Sequence, residues 1–174
     1  AKKLDIVPAH FGDYARLFHD GLLVPDVVFC TVTPADEARR RSLGLSLDHL
    51  RDAMECARVV LAEENAAMPW THGDSEISSD FLTEVFSSTQ PPDLWQARAP
   101  GPVDHAIAEQ VARLVPNGAT VQYGVGATPD AIARALAGHK DLGCHSGSVA
   151  DSYVDLVEAG AISNKFKEVD QGFS

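Results

Sequence analysis

The sequence predicts an α/β fold with a parallel sheet, on three observations. Short apolar, β-branched runs alternate with helix-length amphipathic segments. Two of these alternations, at 26–62 and 119–146, have the strand–helix–strand order of a βαβ unit, which demands a parallel, right-handed crossover. Between them lies a proline-rich stretch that reads as a linker.

Asp26 to Thr33 (DVVFCTVT) is a continuous apolar run stopped by Pro34, the pattern of a buried parallel strand. Thr33 to Arg41 follows as a loop carrying Asp36, Glu37, Arg39, Arg40 and Arg41. It reads as a solvated loop or, less simply, as an anion-facing edge. Ser46 to Ala57 is a helix with Ser46 as N-cap and Leu47, Leu50, Met54 and Ala57 on one face. Arg58 to Ala62 is a second buried strand. Glu63 to Ser75 has neither period and is expected at the carboxyl edge of the sheet, where ligands bind. Leu82 to Phe86 reads as a short strand, and Ser87 to Pro102 as the linker.

Val103 to Leu114 is a helix with Val103, Ile107, Val111 and Leu114 on one face, stopped by Pro116-Asn117-Gly118. Ala119 to Tyr123 is a strand. Thr128 to Ala137 is a helix with Pro129 in its first turn, where a missing N–H costs nothing. Asp141 to His145 is the next strand, and Asp151 to Ala159 a helix ending at Gly160, with Asp151 as its N-cap.

Composition bounds the function. The chain of 174 residues carries a net charge of −11, so nucleic acid and anionic membrane are poor partners. No stretch approaches the roughly 20 apolar residues of a membrane span, and no signal peptide is visible. Cys30, Cys56 and Cys144 fit no zinc or disulfide framework, and the plain reading is free thiols in a reducing cytoplasm. The chain opens on Ala1-Lys2-Lys3 and is expected to be a fragment or a processed piece.

Gln122 to Ala131 reads QYGVGATPDA. Gly124 and Gly126 flank Val125 directly after a strand and before a helix. Glycines there let a ligand approach the backbone, and the helix start adds free N–H groups. Gly124, Val125, Gly126 and Ala127 therefore suit an oxyanion or a phosphate. The dinucleotide fingerprint fails for want of its third glycine, and no P-loop lysine follows.

The longer runs NGATVQYGVGATPDAIARAL, HKDLGCHS and DLVEAGAISNK resemble the CoA-transferase and acetyl-CoA hydrolase family. VPAHFGD, TPADE followed by SLGLS, and ENAAMPWTHGDS agree in order, so the resemblance spans Val7 to Lys167. It implies a parallel-sheet CoA-transferase-like fold, part of a two-domain architecture in proteins more than twice this length. Residues 1–86 would be most of a first α/β domain, 87–102 the linker, and 103–174 the start of a second.

In that family a glutamate attacks the acyl-CoA carbonyl and passes through a glutamyl-CoA thioester, while the glycine turn gives the oxyanion a backbone N–H. On this chain the donor falls at Val125 or Gly126. The family's His-Ser/Thr-Glu-Met run matches His145-Ser146-Gly147-Ser148, which puts Gly147 at the position of the glutamate. A glycine has no side chain to form the thioester. Ala38 and Arg39 replace a His-Gly pair, and Trp70 replaces an arginine, exchanging a cation for an aromatic face.

His145 could serve as a general base, although a structural role is the plainer reading. Cys144 and His145 point to opposite faces if the strand alternates, so at most one lines a site. Ser146 and Ser148 are weaker nucleophile candidates. His72 and Asp74 could pair, Asp130 and Glu158 read as solvated, and no metal is expected. Two functions follow. One is an acyltransferase or acyl-CoA hydrolase acting on an acyl-CoA or pantetheine thioester without the glutamyl intermediate. The other is a non-catalytic CoA-binding subunit or degenerate half of a hetero-oligomer. Coenzyme A enters as substrate, with a homo-oligomer or complementary subunit as partner.

Overall fold

The computed structural model describes residues 6–45, 47–93 and 98–173. The chain divides into two compact units, Ala1–Leu94 and Trp95–Ser174.

The first unit runs α1 (Tyr14–His19), β1 (Val27–Val32), β2 (Arg40–Ser42), α2 (Leu50–Cys56), β3 (Val59–Asn65), β4 (Glu76–Ser78) and β5 (Glu84–Ser88). β1, β3 and β5 form a parallel sheet in that order, with Val28 opposite Val60 and Ala62 opposite Val85. Val28, Cys30, Val32, Val60 and Ala62 point to one face and form the core with Phe18, Leu43, Met54 and Ile77. The predicted strand at 26–33 is therefore parallel but buried on one face only. Phe29 and Phe86, on the other face, are 70% and 53% exposed.

The helix predicted from Ser46 begins at Leu50, and Ser46 lies outside the described residues. Its apolar face is as expected: Met54 is buried, and Leu47, Leu50 and Ala57 pack against the core. β3 extends beyond Ala62 to Asn65, taking the first residues of the expected loop into the sheet.

The guanidinium groups of the charged loop at 33–41 are engaged by carboxylates within it and on neighbouring segments. Asp36 accepts from the Arg40 backbone N–H at 2.8 Å and from its guanidinium. Arg41 is buried, 2.5 Å from Glu64, and donates to the Thr33 carbonyl. The segment ends in β2, which pairs antiparallel with β4.

The second unit runs α3 (Pro102–Leu114), β6 (Thr120–Val121), α4 (Ala127–Ala135), β7 (Gly143–Cys144) and α5 (Asp151–Glu158). β6 and β7 pair in parallel, Val121 opposite Cys144, and Leu142 bridges to Ile162 beside them. Leu136, Leu142, Cys144, Tyr153 and Leu156 make the core. The helix at 103–114 is present, but its predicted apolar face is bare: Val103 is 72% and Leu114 82% exposed. Its buried residues are Asp104 and Ala108. α5 is capped differently from expectation. Asp151 is its first residue and Ala150 the N-cap, without a side-chain bond. Gly160 ends it at a φ of +74°, the left-handed cap that glycine adopts at no cost.

No helix among the described residues is long and apolar enough to cross a membrane.

Candidate active site

β6 ends at Val121, and the chain crosses Tyr123, Gly124 and Val125 to Gly126, the N-cap of α4. Gly126 has a φ of +133°, a conformation L side chains rarely adopt. Val125 is 61% exposed, Gly124 is exposed, and Ala127 is buried as the helix begins. The Gly126 carbonyl accepts from the Asp130 N–H at 3.1 Å, closing the first turn. The Ala127 and Thr128 amides have no acceptor within the helix and sit at the positive end of its dipole.

A carboxylate from α3 holds this helix start. Thr128 donates its hydroxyl to Asp104 Oδ1 at 2.5 Å. Asp104 Oδ2 accepts from the Gly101 N–H at 2.8 Å and from Arg98 at 2.9 Å. The Thr128 hydroxyl, then the Gly101 N–H and the Arg98 guanidinium, hold the Asp104 carboxyl down at about 2. Sequence reading missed Asp104. Its signal was an acidic residue three positions into a helix, an ordinary capping feature, whose second partner is 24 residues away.

The loop after β7 is tied to the turn. Ser146 Oγ accepts from the Tyr123 N–H at 3.1 Å and donates to the Ser148 carbonyl at 2.7 Å. This hydroxyl is a latch between the two loops, which leaves it poorly suited to attack. Because β6 and β7 are hydrogen-bonded neighbours, the loops that follow them share one sheet edge. Gly147 is therefore one residue from the bond that joins the loop to the turn. A Cβ at Gly147 would meet no atom within 4 Å, and its φ is not in the left-handed range.

Cys144 and His145 do face opposite ways. Cys144 is fully buried, its thiol pushed up by burial. His145 is exposed and lines a cavity of about 430 Å³ with Thr120, Phe166 and Lys167. Gly124 borders a different one, about 300 Å³, with Val111, Tyr123, Pro129 and Leu136. The structure thus joins Gly147 to the turn but does not place His145 and Gly124 on one cavity.

Two expectations change. His72 Nδ1 lies 2.7 Å from Glu76, not beside Asp74, and Trp70 Nε1 donates to the same Glu76 oxygen at 3.2 Å. Asp130 is held by Arg134 at 3.1 Å rather than simply solvated.

No protein-family model matches the chain. Individual relatives do. It is 37% identical over 170 residues to a 4-hydroxybutyrate coenzyme A transferase of Clostridium kluyveri, covering 98% of this chain and 40% of that one. The chain is a homologue of the CoA-transferase and acetyl-CoA hydrolase family. A succinyl-CoA:acetate/propanoyl-CoA:succinate CoA transferase of Fasciola hepatica is 35% identical, covering 98% of this chain and 36% of the relative. The crystal structure of a 4-hydroxybutyrate CoA-transferase from Porphyromonas gingivalis superposes with a TM-score of 0.85 at 34% identity, over 95% of this chain and 42% of that one. This homologue of the CoA-transferases thus spans about two fifths of the length of the relatives it matches.

Proposed function

We propose that this chain is an acyl-CoA-handling unit in which the turn Gly124–Gly126 receives the thioester carbonyl. Acyl transfer or hydrolysis then proceeds without a glutamyl-CoA intermediate. The observation that supports this is the Ser146 latch: its hydroxyl accepts from the Tyr123 N–H, tying the loop that carries Gly147 to the residue that opens the glycine turn, whose Gly126 has a φ of +133°. The N–H of Val125 or Gly126 polarises the carbonyl and Ala127 completes the helix start; His145, which opens on a separate cavity, is the base for an acceptor that enters through that cavity. Transfer to a bound acceptor needs only these groups and positioning.

A second reading, a non-catalytic CoA-binding subunit or degenerate half of a hetero-oligomer, is favoured by the same Gly147, which supplies no nucleophile. In either case a further polypeptide, a second copy or a complementary subunit in the cytoplasm, completes the molecule. The bare apolar residues of the first sheet and of α3 support this.

Incubation with a panel of acyl-CoAs, with and without carboxylic acid or amine acceptors, separates the two readings. Mass spectrometry should detect free CoA and a new acyl product. CoA binding without turnover for any acceptor would eliminate the enzymatic reading and leave the binding subunit.

A further inference from the structure

In the first unit α1 packs on α2. The pair brings His19, Asp52 and Glu55 together, with one ligand atom of each within 4.8 Å of the others. His19 is the last residue of α1, while Asp52 and Glu55, three apart, share a face of α2. His19 Nε2 lies 3.0 Å from Asp52 Oδ1. Two N/O donors on one tetrahedral zinc ion stand about 3.3 Å apart, so this pair needs a shift of only a few tenths of an ångström to take one up.

A separate contact concerns the other ring nitrogen. Cys56 Sγ lies 3.9 Å from His19 Nδ1. That contact is weak and does not fix the tautomer; in the metal-free pair the Nε2–H faces the Asp52 carboxylate, and this proton is what a cation would displace.

We infer that His19, Asp52 and Glu55 form a site for a first-row divalent cation of the Zn²⁺ type. Two carboxylates and a neutral imidazole match the charge and the N/O preference of such an ion. Three protein ligands leave a position for water. The His19 and Asp52 side chains are 48% and 30% exposed, so the ion enters from solvent. Arg51 opposes it only weakly: its Nε is 3.4 Å from Glu55 Oε1, while its Nη1 donates to the Asp74 carbonyl at 2.9 Å. An exposed pair of that length contributes little. The bound ion would pin α1 to α2.

Calorimetric titration of the 174-residue chain with zinc chloride tests this. One saturable site per chain is expected, and His19→Gln and Asp52→Asn should each weaken it by about tenfold or more. His105→Gln, an exposed histidine on α3, should leave it unchanged. Absence of saturable binding, unchanged affinity in Asp52→Asn, or an equal loss in His105→Gln would overturn the site and leave His19 and Asp52 an ordinary surface pair.

Discussion

Gly126 sits at a φ of +133°, where a Cβ is strained whatever the space around it, while a Cβ at Gly147 meets open space. The two glycines therefore respond differently to substitution. Gly126→Ala is expected to cost about 1–3 kcal/mol, and Gly147→Glu to stay within about 0.5 kcal/mol of the parent. Urea unfolding of the two variants measures both. Asp104 makes a pH-dependent prediction. Its folded value, about 2, lies below the unfolded value near 3.9, so its contribution is complete above the unfolded value and is lost as pH falls toward 2. Asp104→Asn should unfold at lower urea than the parent at pH 6. The difference should shrink between pH 4 and pH 2, while hydrogen exchange at Ala127, Thr128 and Asp130 quickens in the variant. The sequence displayed the glycines and the His145–Ser148 run because their signal is local. It hid Asp104, the Ser146 latch and the His72–Glu76 pair, because each depends on partners that the chain order does not reveal.

Element by element, legibility followed the length and period of the pattern. β1, β3, α3 and α4 stood out because apolar residues repeat over several positions. β2 and β4 did not, because three-residue strands reading Arg40-Arg41-Ser42 and Glu76-Ile77-Ser78 have no period, and only their mutual pairing defines them. α1 was also missed, though Phe11, Tyr14 and Phe18 have helical spacing and their rings gather around His49. The instructive case is α3, where the sequence shows an apolar stripe at helical spacing and the structure leaves most of it exposed. Leu114 is 82% exposed and Leu136, in the second unit's core, 1%. Leu136→Ala should cost about 2–5 kcal/mol through lost packing and a residual cavity. Leu114→Ala should change stability by about 0.5 kcal/mol or less in this chain. Equal losses would mean that the stripe is buried in solution, against the structure.

At the scale of the molecule, bare apolar residues such as Phe29, Phe86, Val103 and Leu114 accompany a chain spanning two fifths of its relatives' length. Sedimentation should show concentration-dependent self-association or capture of a complementary subunit, and Phe29→Ser with Leu114→Ser should reduce it. In the proposed function an acyl thioester meets the glycine turn, and Gly147 stands where the resemblance puts the family's nucleophile. Intact-protein mass spectrometry after incubation with acyl-CoA tests it most directly, using the parent and Gly147→Glu. No covalent adduct is expected on the parent, and a CoA thioester adduct is expected on Gly147→Glu. A CoA adduct on the parent, or CoA binding by both proteins with no adduct on Gly147→Glu, would contradict it.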